Sequence, residues 1–156
     1  LTPELELAPG YGRTQGLVFR RDDPRFAQQT DARSALRQVL ADPNCRMINR
    51  NAGSGTRILI DRLLAGQQPP GYAFQAKSHN AVAAAVAQGR ADWGVAIEPV
   101  ARLYSLGFLP LEEEHYDFVI PRDRWDRPAV VAFRQLLAAP EVQTHLVEMG
   151  FRIKKP

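Results

Sequence analysis

The sequence predicts an α/β fold on a mostly parallel sheet, and three observations carry that prediction. Between Cys45 and Gly107 a short apolar run followed by a helical run occurs three times in succession. Repeated β-α alternation lays strands parallel and helices over their faces. The strand-to-helix turns are small and polar, at Asn51-Ala52-Gly53-Ser54-Gly55 and Ser78-His79-Asn80, which is helix-start chemistry. The middle helix, Ala81 to Gln88, carries small side chains on every face, so it can lie close against a sheet and be covered on both sides.

In chain order, Leu1 to Gly12 holds two prolines and two glycines and reads as an irregular or edge segment. Thr14 to Arg20 is a strand, and Arg21-Asp22-Asp23-Pro24 is turn chemistry. A helix follows over Ala32–Leu40, capped by Thr30 or Asp31, with Leu36, Val39 and Leu40 inward. Asp42-Pro43-Asn44 ends it. The strand Cys45–Asn49 leads through the glycine turn into a helix over Ser54–Ala65. Gly66 stops that helix and Pro69-Pro70-Gly71 breaks the chain. Tyr72–Ala76 is a short strand, Ala81–Gln88 the small-residue helix, and Ala91–Ile97 a third strand. A helix over Glu98–Leu106 has Pro99 in its first turn and Gly107 as its stop. His115–Ile120 is a strand by its β-branched and aromatic content. Helices over Ala129–Ala138 and Glu141–Met149 follow, the second opened by Pro140, and Phe151–Pro156 trails off. No internal repeat or low-complexity tract interrupts this order.

Two stretches carry candidate chemistry. The turn Gly53-Ser54-Gly55-Thr56-Arg57 combines backbone N–H groups of a first helical turn, two hydroxyls and a guanidinium. Such a turn suits a small anion; it equally suits an ordinary strand–helix turn with a serine cap. Arg57 and Asp61 are four apart and can pair, which competes with a ligand role. Ser78 and His79 open the next helix, either as a second donor cluster on the same sheet edge or as a cap with an exposed histidine. Tyr116 offers a phenol to a ligand or packs as a strand tyrosine. Ligands of parallel sheets sit beyond the carboxyl ends of the strands, where both turns belong. The spacing is that of neither a nucleotide-phosphate loop nor a dinucleotide fingerprint, nor of a nucleophile elbow.

Composition narrows the classes. The 156 residues fit one domain or two small lobes. The net charge of +3 is a mild excess, scattered apart from Arg20-Arg21 and a Lys154-Lys155 tail. That is no nucleic-acid footprint. Cys45 is the sole cysteine, so no internal disulfide forms, and it reads as a small core residue. Its three companions, His79, His115 and His145, make no metal-ligand spacing with it. The acidic run Glu112-Glu113-Glu114 reads as a solvated rim. No apolar run approaches the ~20 residues of a membrane helix.

Several pieces, in order, resemble a known family. They are Gly12-Arg13-x-Gln15-Gly16-Leu17, Asn49-Arg50-x-x-Gly53-Ser54-Gly55-Thr56-Arg57, Ile60-Asp61-x-Leu63-Leu64, Gly71-Tyr72, Ser78-His79-x-Ala81-Val82-Ala83, Ala91-Asp92-x-Gly94, Pro110-Leu111-x-x-Glu114-x-Tyr116-Asp117 and Val119-Ile120-Pro121. Together they resemble the periplasmic-binding-protein-like domain found fused to molybdopterin-biosynthesis proteins and to helix-turn-helix regulators. The resemblance implies a type II periplasmic-binding fold: two α/β lobes, a hinge of crossing strands and a ligand in the cleft. Residues 45–116 would form the second lobe, and 1–44 with 117–156 the hinge and a first lobe incomplete at its N-terminus. It implies a non-catalytic sensor for an oxyanion such as molybdate or tungstate, held by Gly53, Ser54, Gly55, Thr56, Arg57, Ser78, His79 and Tyr116, with no metal and no cofactor beyond that ion. Expected partners are a fused helix-turn-helix or molybdopterin-biosynthesis domain, and a second copy as homodimer. Nucleic acid and membrane are not expected partners, and the expected location is the cytoplasm, or the periplasm if a leader has been removed. The rival readings are a domain of a molybdopterin-processing enzyme and a structural or oligomerising module with a relict cleft.

Overall fold

Residues 4–153 are described by the computed structural model. The chain runs β1 (Leu5–Phe19), α1 (Ala32–Ala41), β2 (Met47–Arg50), α2 (Gly55–Leu64), β3 (Gln75–Ala76), α3 (His79–Ala87), β4 (Trp93–Ile97), α4 (Glu98–Leu103), β5 (Gly107–Pro121), α5 (Pro128–Ala138) and α6 (Pro140–Glu148). Short 3-10 turns occupy Pro24–Phe26 and Arg122–Arg124. The five strands form one mixed sheet in the order β3-β2-β4-β1-β5. The three strands of the repeated strand–helix run are parallel, as the alternation predicts. β1 joins them antiparallel, with Leu17 opposite Val95.

The chain divides into two compact units, Thr14–Glu112 and Leu1–Arg13 with Glu113–Pro156. The first is a sheet covered on both faces. Leu17 and Phe19 of β1 point one way, toward Met47, Trp93 and Val95, and are sealed by Ala35, Leu36 and Val39 of α1 and Leu59, Ile60 and Leu64 of α2. Val18 and Ala96, one residue out of phase, face Val82, Ala83 and Val86 of α3 and Ala101 of α4. This is the period-two alternation of a strand buried on both sides. Each fully buried Leu, Ile or Val side chain contributes roughly 1.5–3 kcal/mol. Small residues let α3 come close, because a Cβ on Gly94 would stand 2.7 Å from Val82 Cγ1.

A charged staple ties the start of β4 to the chain before α1. Asp92 Oδ2 accepts the Arg46 N–H at 2.7 Å, and its Oδ1 lies 2.9 Å from Arg25 Nη2 and 3.3 Å from Arg20 Nη2. Arg25 also holds Asp23 at 2.6 Å. Burial pushes both carboxyls up. The Arg25 hydrogen bonds on Asp23, and the Arg46 N–H with Arg25 and Arg20 on Asp92, outweigh it and keep both below the usual carboxylate range. Beside them Cys45 has no exposed surface, and burial pushes its thiol up to about 12.

The second unit is lighter. Gly12 and Arg152 exchange backbone hydrogen bonds of 2.6 and 2.7 Å. Tyr11 meets Phe151 edge-on, Phe118 meets Phe133 likewise, and Arg134 lies 3.8 Å over Trp125. Yet no residue of α5 or α6 is buried.

Several boundaries differ from expectation for physical reasons. The segment before Gly12, expected to be irregular or an edge, is strand from Leu5 onward, because long-range pairing overrides its proline and glycines; the Gly10 N–H even finds Asp117 Oδ1 at 3.1 Å. Residues 1–3 of that segment and the Lys154-Lys155 tail lie outside the described residues. The strand expected over Tyr72–Ala76 shrinks to two residues, since a turn closed by Phe74 N–H on Gly71 C=O precedes it. Helix α4 ends three residues early, at Leu103, because the chain turns away at Ser105 with its positive φ, and Gly107 opens β5 rather than stopping a helix. The acidic run lies inside β5, paired with Arg62, Arg152 and Arg13 in turn.

Candidate functional site

Strand β2 ends in Asn49 and Arg50, both buried although polar. Asn49 is satisfied within the backbone: its Nδ2 donates to Tyr72 C=O at 3.1 Å and its Oδ1 accepts the Arg50 N–H at 2.8 Å. It thereby locks β2 to the segment before β3. Gly71 makes that approach possible. Its φ is +87° and a Cβ there would stand 2.1 Å from Met47 C=O, so only glycine fits.

Beyond Arg50 the chain turns through Gly53, at φ +82°, into α2. Ser54 is the N-cap: its Oγ accepts the Arg57 N–H at 3.2 Å. The helix itself offers no acceptor to the remaining first-turn N–H groups, those of Gly55 and Thr56. Open space lies over Gly53 and Gly55, where an added Cβ would meet nothing within 4 Å. Thr56 is buried. Next door, Ser78 caps α3, accepting the Ala81 N–H at 3.1 Å, and His79 is the first helical residue. Because β2 and β3 are parallel, both helix starts stand at one sheet edge.

Arg50 joins them. Its Nη1 lies 3.2 Å from His79 Nδ1 and 3.4 Å from Nε2, with only 7% of the residue exposed. Arg50 sits inside the Asn49-Arg50 motif, but nothing in sequence spacing says that a strand-end arginine and a histidine 29 positions on will meet.

Arg57 is held in place. Its Nε donates to Asp61 Oδ1 at 2.8 Å, Nη1 to Arg50 C=O at 3.1 Å and Nη2 to Tyr72 Oη at 2.7 Å. Tyr72 in turn donates to Asp61 at 3.0 Å. These partners raise the Arg57 guanidinium above its ordinary value, the Asp61 hydrogen bond first, and hold Asp61 below its own. Gly53, Ser54, Gly55, Thr56, Arg57, Ser78 and His79 thus share one edge of one unit. Tyr116 belongs to the other unit, half-exposed, stacked near Tyr11 with Arg13 over its ring. Among the described residues no group of His, Cys, Asp and Glu is arranged to hold a metal ion.

The PBP superfamily domain matches residues 1–138. The chain belongs to the PBP superfamily. PBP-like domains are in general non-catalytic ligand-binding and sensor domains, and the matched family spans the site just described. This PBP-superfamily chain is 32% identical over 148 residues to the uncharacterized protein YvgK of Bacillus subtilis (strain 168), covering 91% of its own length and 45% of YvgK. It therefore spans about half of that relative. Among solved structures it is similar to a putative phosphate transporter substrate-binding protein with bound phosphate from Clostridium perfringens, with TM-score 0.69, 9% identity, and coverage of 97% of this chain and 72% of that one. It is also similar to the regulatory domain of MetR, a LysR family regulator from N. meningitidis, with TM-score 0.65, 11% identity, and coverage of 100% and 72%. At these identities the structural likenesses show the type II periplasmic-binding fold. No helix among the described residues is long and apolar enough to cross a membrane.

Proposed function

We propose that this chain is a non-catalytic sensor or binding domain for a small oxyanion, with molybdate and tungstate the first ligands to test. One observation carries the reading. Two serine-capped helix N-termini stand side by side beyond parallel strands, and the Arg50 guanidinium reaches from one to the other at His79. The macrodipoles put partial positive charge at both starts, and the first-turn N–H groups of Gly55 and Thr56, to which the helix offers no acceptor, supply directed donors. Gly53 leaves room for the ion and Ser78 and Thr56 add hydroxyls, while the Ser54 hydroxyl, which donates to Asn51 C=O at 3.0 Å and caps the helix, fixes the turn. Arg57 braces the turn through Asp61, Tyr72 and the Arg50 carbonyl. Residues 45–116 serve as the second lobe in this reading, with the hinge and first lobe drawn from the rest. A ligand-bound relative in phosphate transport and a LysR regulatory domain among the structural neighbours support a domain that reports occupancy. The listener is a fused helix-turn-helix or molybdopterin-biosynthesis domain, consistent with the greater length of YvgK.

Isothermal titration of this chain and of its parent polypeptide with molybdate, tungstate, sulfate and phosphate tests the reading. Saturable binding to one of the four is expected. Ser54→Ala and His79→Ala should each weaken it roughly tenfold, the loss of one or two directed contacts. No heat with any of the four, in either protein, ends the oxyanion reading.

A further inference from the structure

We propose that the channel between α1 and α2, on the face of the sheet remote from α3, is a docking groove for an acidic amphipathic helix of a partner protein. It is distinct from the oxyanion site and does not depend on it. Each wall presents the same spacing: Arg33, Leu36 and Arg37 from α1, and Leu59, Arg62 and Leu63 from α2. Residues at i, i+3 and i+4 share a helix face, so two leucine-and-arginine faces look into one channel. Leu111 and Glu112 of β5 complete it, and its volume is about 520 Å³.

Leucines form the floor and arginines the rim. Leu36 and Leu59 are buried, and Leu63 and Leu111 partly so. Arg33 and Arg37 are exposed. Among the described ion pairs neither takes part, whereas Arg62 is paired with Glu112. Three guanidinium groups therefore surround an apolar trough that holds a single carboxylate. The complement is an apolar ridge flanked by carboxylates, which is how an acidic helix with leucines at i, i+3, i+4 and i+7 presents itself. Both walls are ten-residue helices, about 15 Å long, enough for three turns of a guest. Small-molecule sites are mostly apolar with aromatic walls, whereas this groove has a leucine floor and an arginine rim. A leucine floor without aromatic faces gives nucleic acid no stacking surface.

The test uses two synthetic peptides of about four helical turns, both with a leucine ridge, one flanked by glutamates and the other by lysines. Anisotropy should show saturable binding of the glutamate peptide only. Arg33→Glu with Arg37→Glu should weaken it by tenfold or more, and the milder Arg33→Gln with Arg37→Gln by less, on the order expected for lost charge pairs. Glu112→Gln should tighten it severalfold, because it frees Arg62 and removes the one repelling carboxylate. Equal binding of the lysine peptide, no binding of either, or unchanged affinity in both double variants overturns the proposal. So does self-association of the chain that the same variants abolish, which would assign the groove to a second copy. Saturable uptake of dodecanoate without peptide binding would assign it to a small amphiphile, and also overturns it.

Discussion

Asp92 ties three separate stretches of the chain together at the margin of the core. It holds the Arg46 backbone and two guanidinium groups while nine-tenths buried. A carboxyl held below its ordinary range in the folded state lends stability that is complete above the unfolded value of 3.8. That stability is lost as pH falls through the lower, folded value. Asp92→Asn keeps the shape but leaves Arg20 and Arg25 with a weaker acceptor, at a cost of about 2–3 kcal/mol near neutral pH. Urea melts of both proteins from pH 7 down to pH 2 check this. The gap between them should be widest above about pH 4 and should narrow toward pH 2. A constant gap across that range would show that Asp92 acts through shape alone.

At the scale of elements, the contact of α3 with β4 is set by what is absent. Gly94 faces Val82 Cγ1 and Ile48 Cγ2, and a Cβ would come within 2.9 Å of both. Gly94→Val should therefore lift α3 from the sheet and cost roughly 1–3 kcal/mol or more. Gly53→Ala meets no neighbour and costs only the strain of a positive φ. Chemical denaturation of the two variants ranks them, and a cheaper Gly94→Val would refute close helix–sheet contact there.

The same elements show what could be read beforehand. The alanine-rich composition of α3, the caps at Ser54 and Ser78, and the parallel order of β2, β3 and β4 are local signals, and each is present in the fold, although β3 keeps only two of its expected five residues. The strand over Leu5–Arg13 was hidden, because pairing partners more than a hundred residues away outweigh a local proline. Arg57 showed its possible partner Asp61 by spacing, but Tyr72 and the Arg50 carbonyl joined it only through the fold. The Arg50–His79 approach was equally silent, since it depends on β3 lying next to β2.

For the whole molecule, the two units differ in how much they hide. The unit of residues 14–112 carries cores on both faces of its sheet. In the other, α5 and α6 bury no residue, and Leu136 and Val147 are each more than half exposed. Unequal burial means unequal local opening free energy, so the two parts need not come apart together.

The lone thiol turns that difference into a clock. Cys45 sits wholly inside the better-sealed unit with its proton firmly held, so an alkylating reagent can mark it only in molecules whose interior has briefly parted. Mass spectrometry of the intact protein over a course of iodoacetamide exposure should show one slow adduct, hastened by mild urea and by Asp92→Asn. Instant labelling would mean that this interior is ajar at rest. The sulfur thus keeps a running record of each breach of the sheet it lies against, with no dye or engineered tag required.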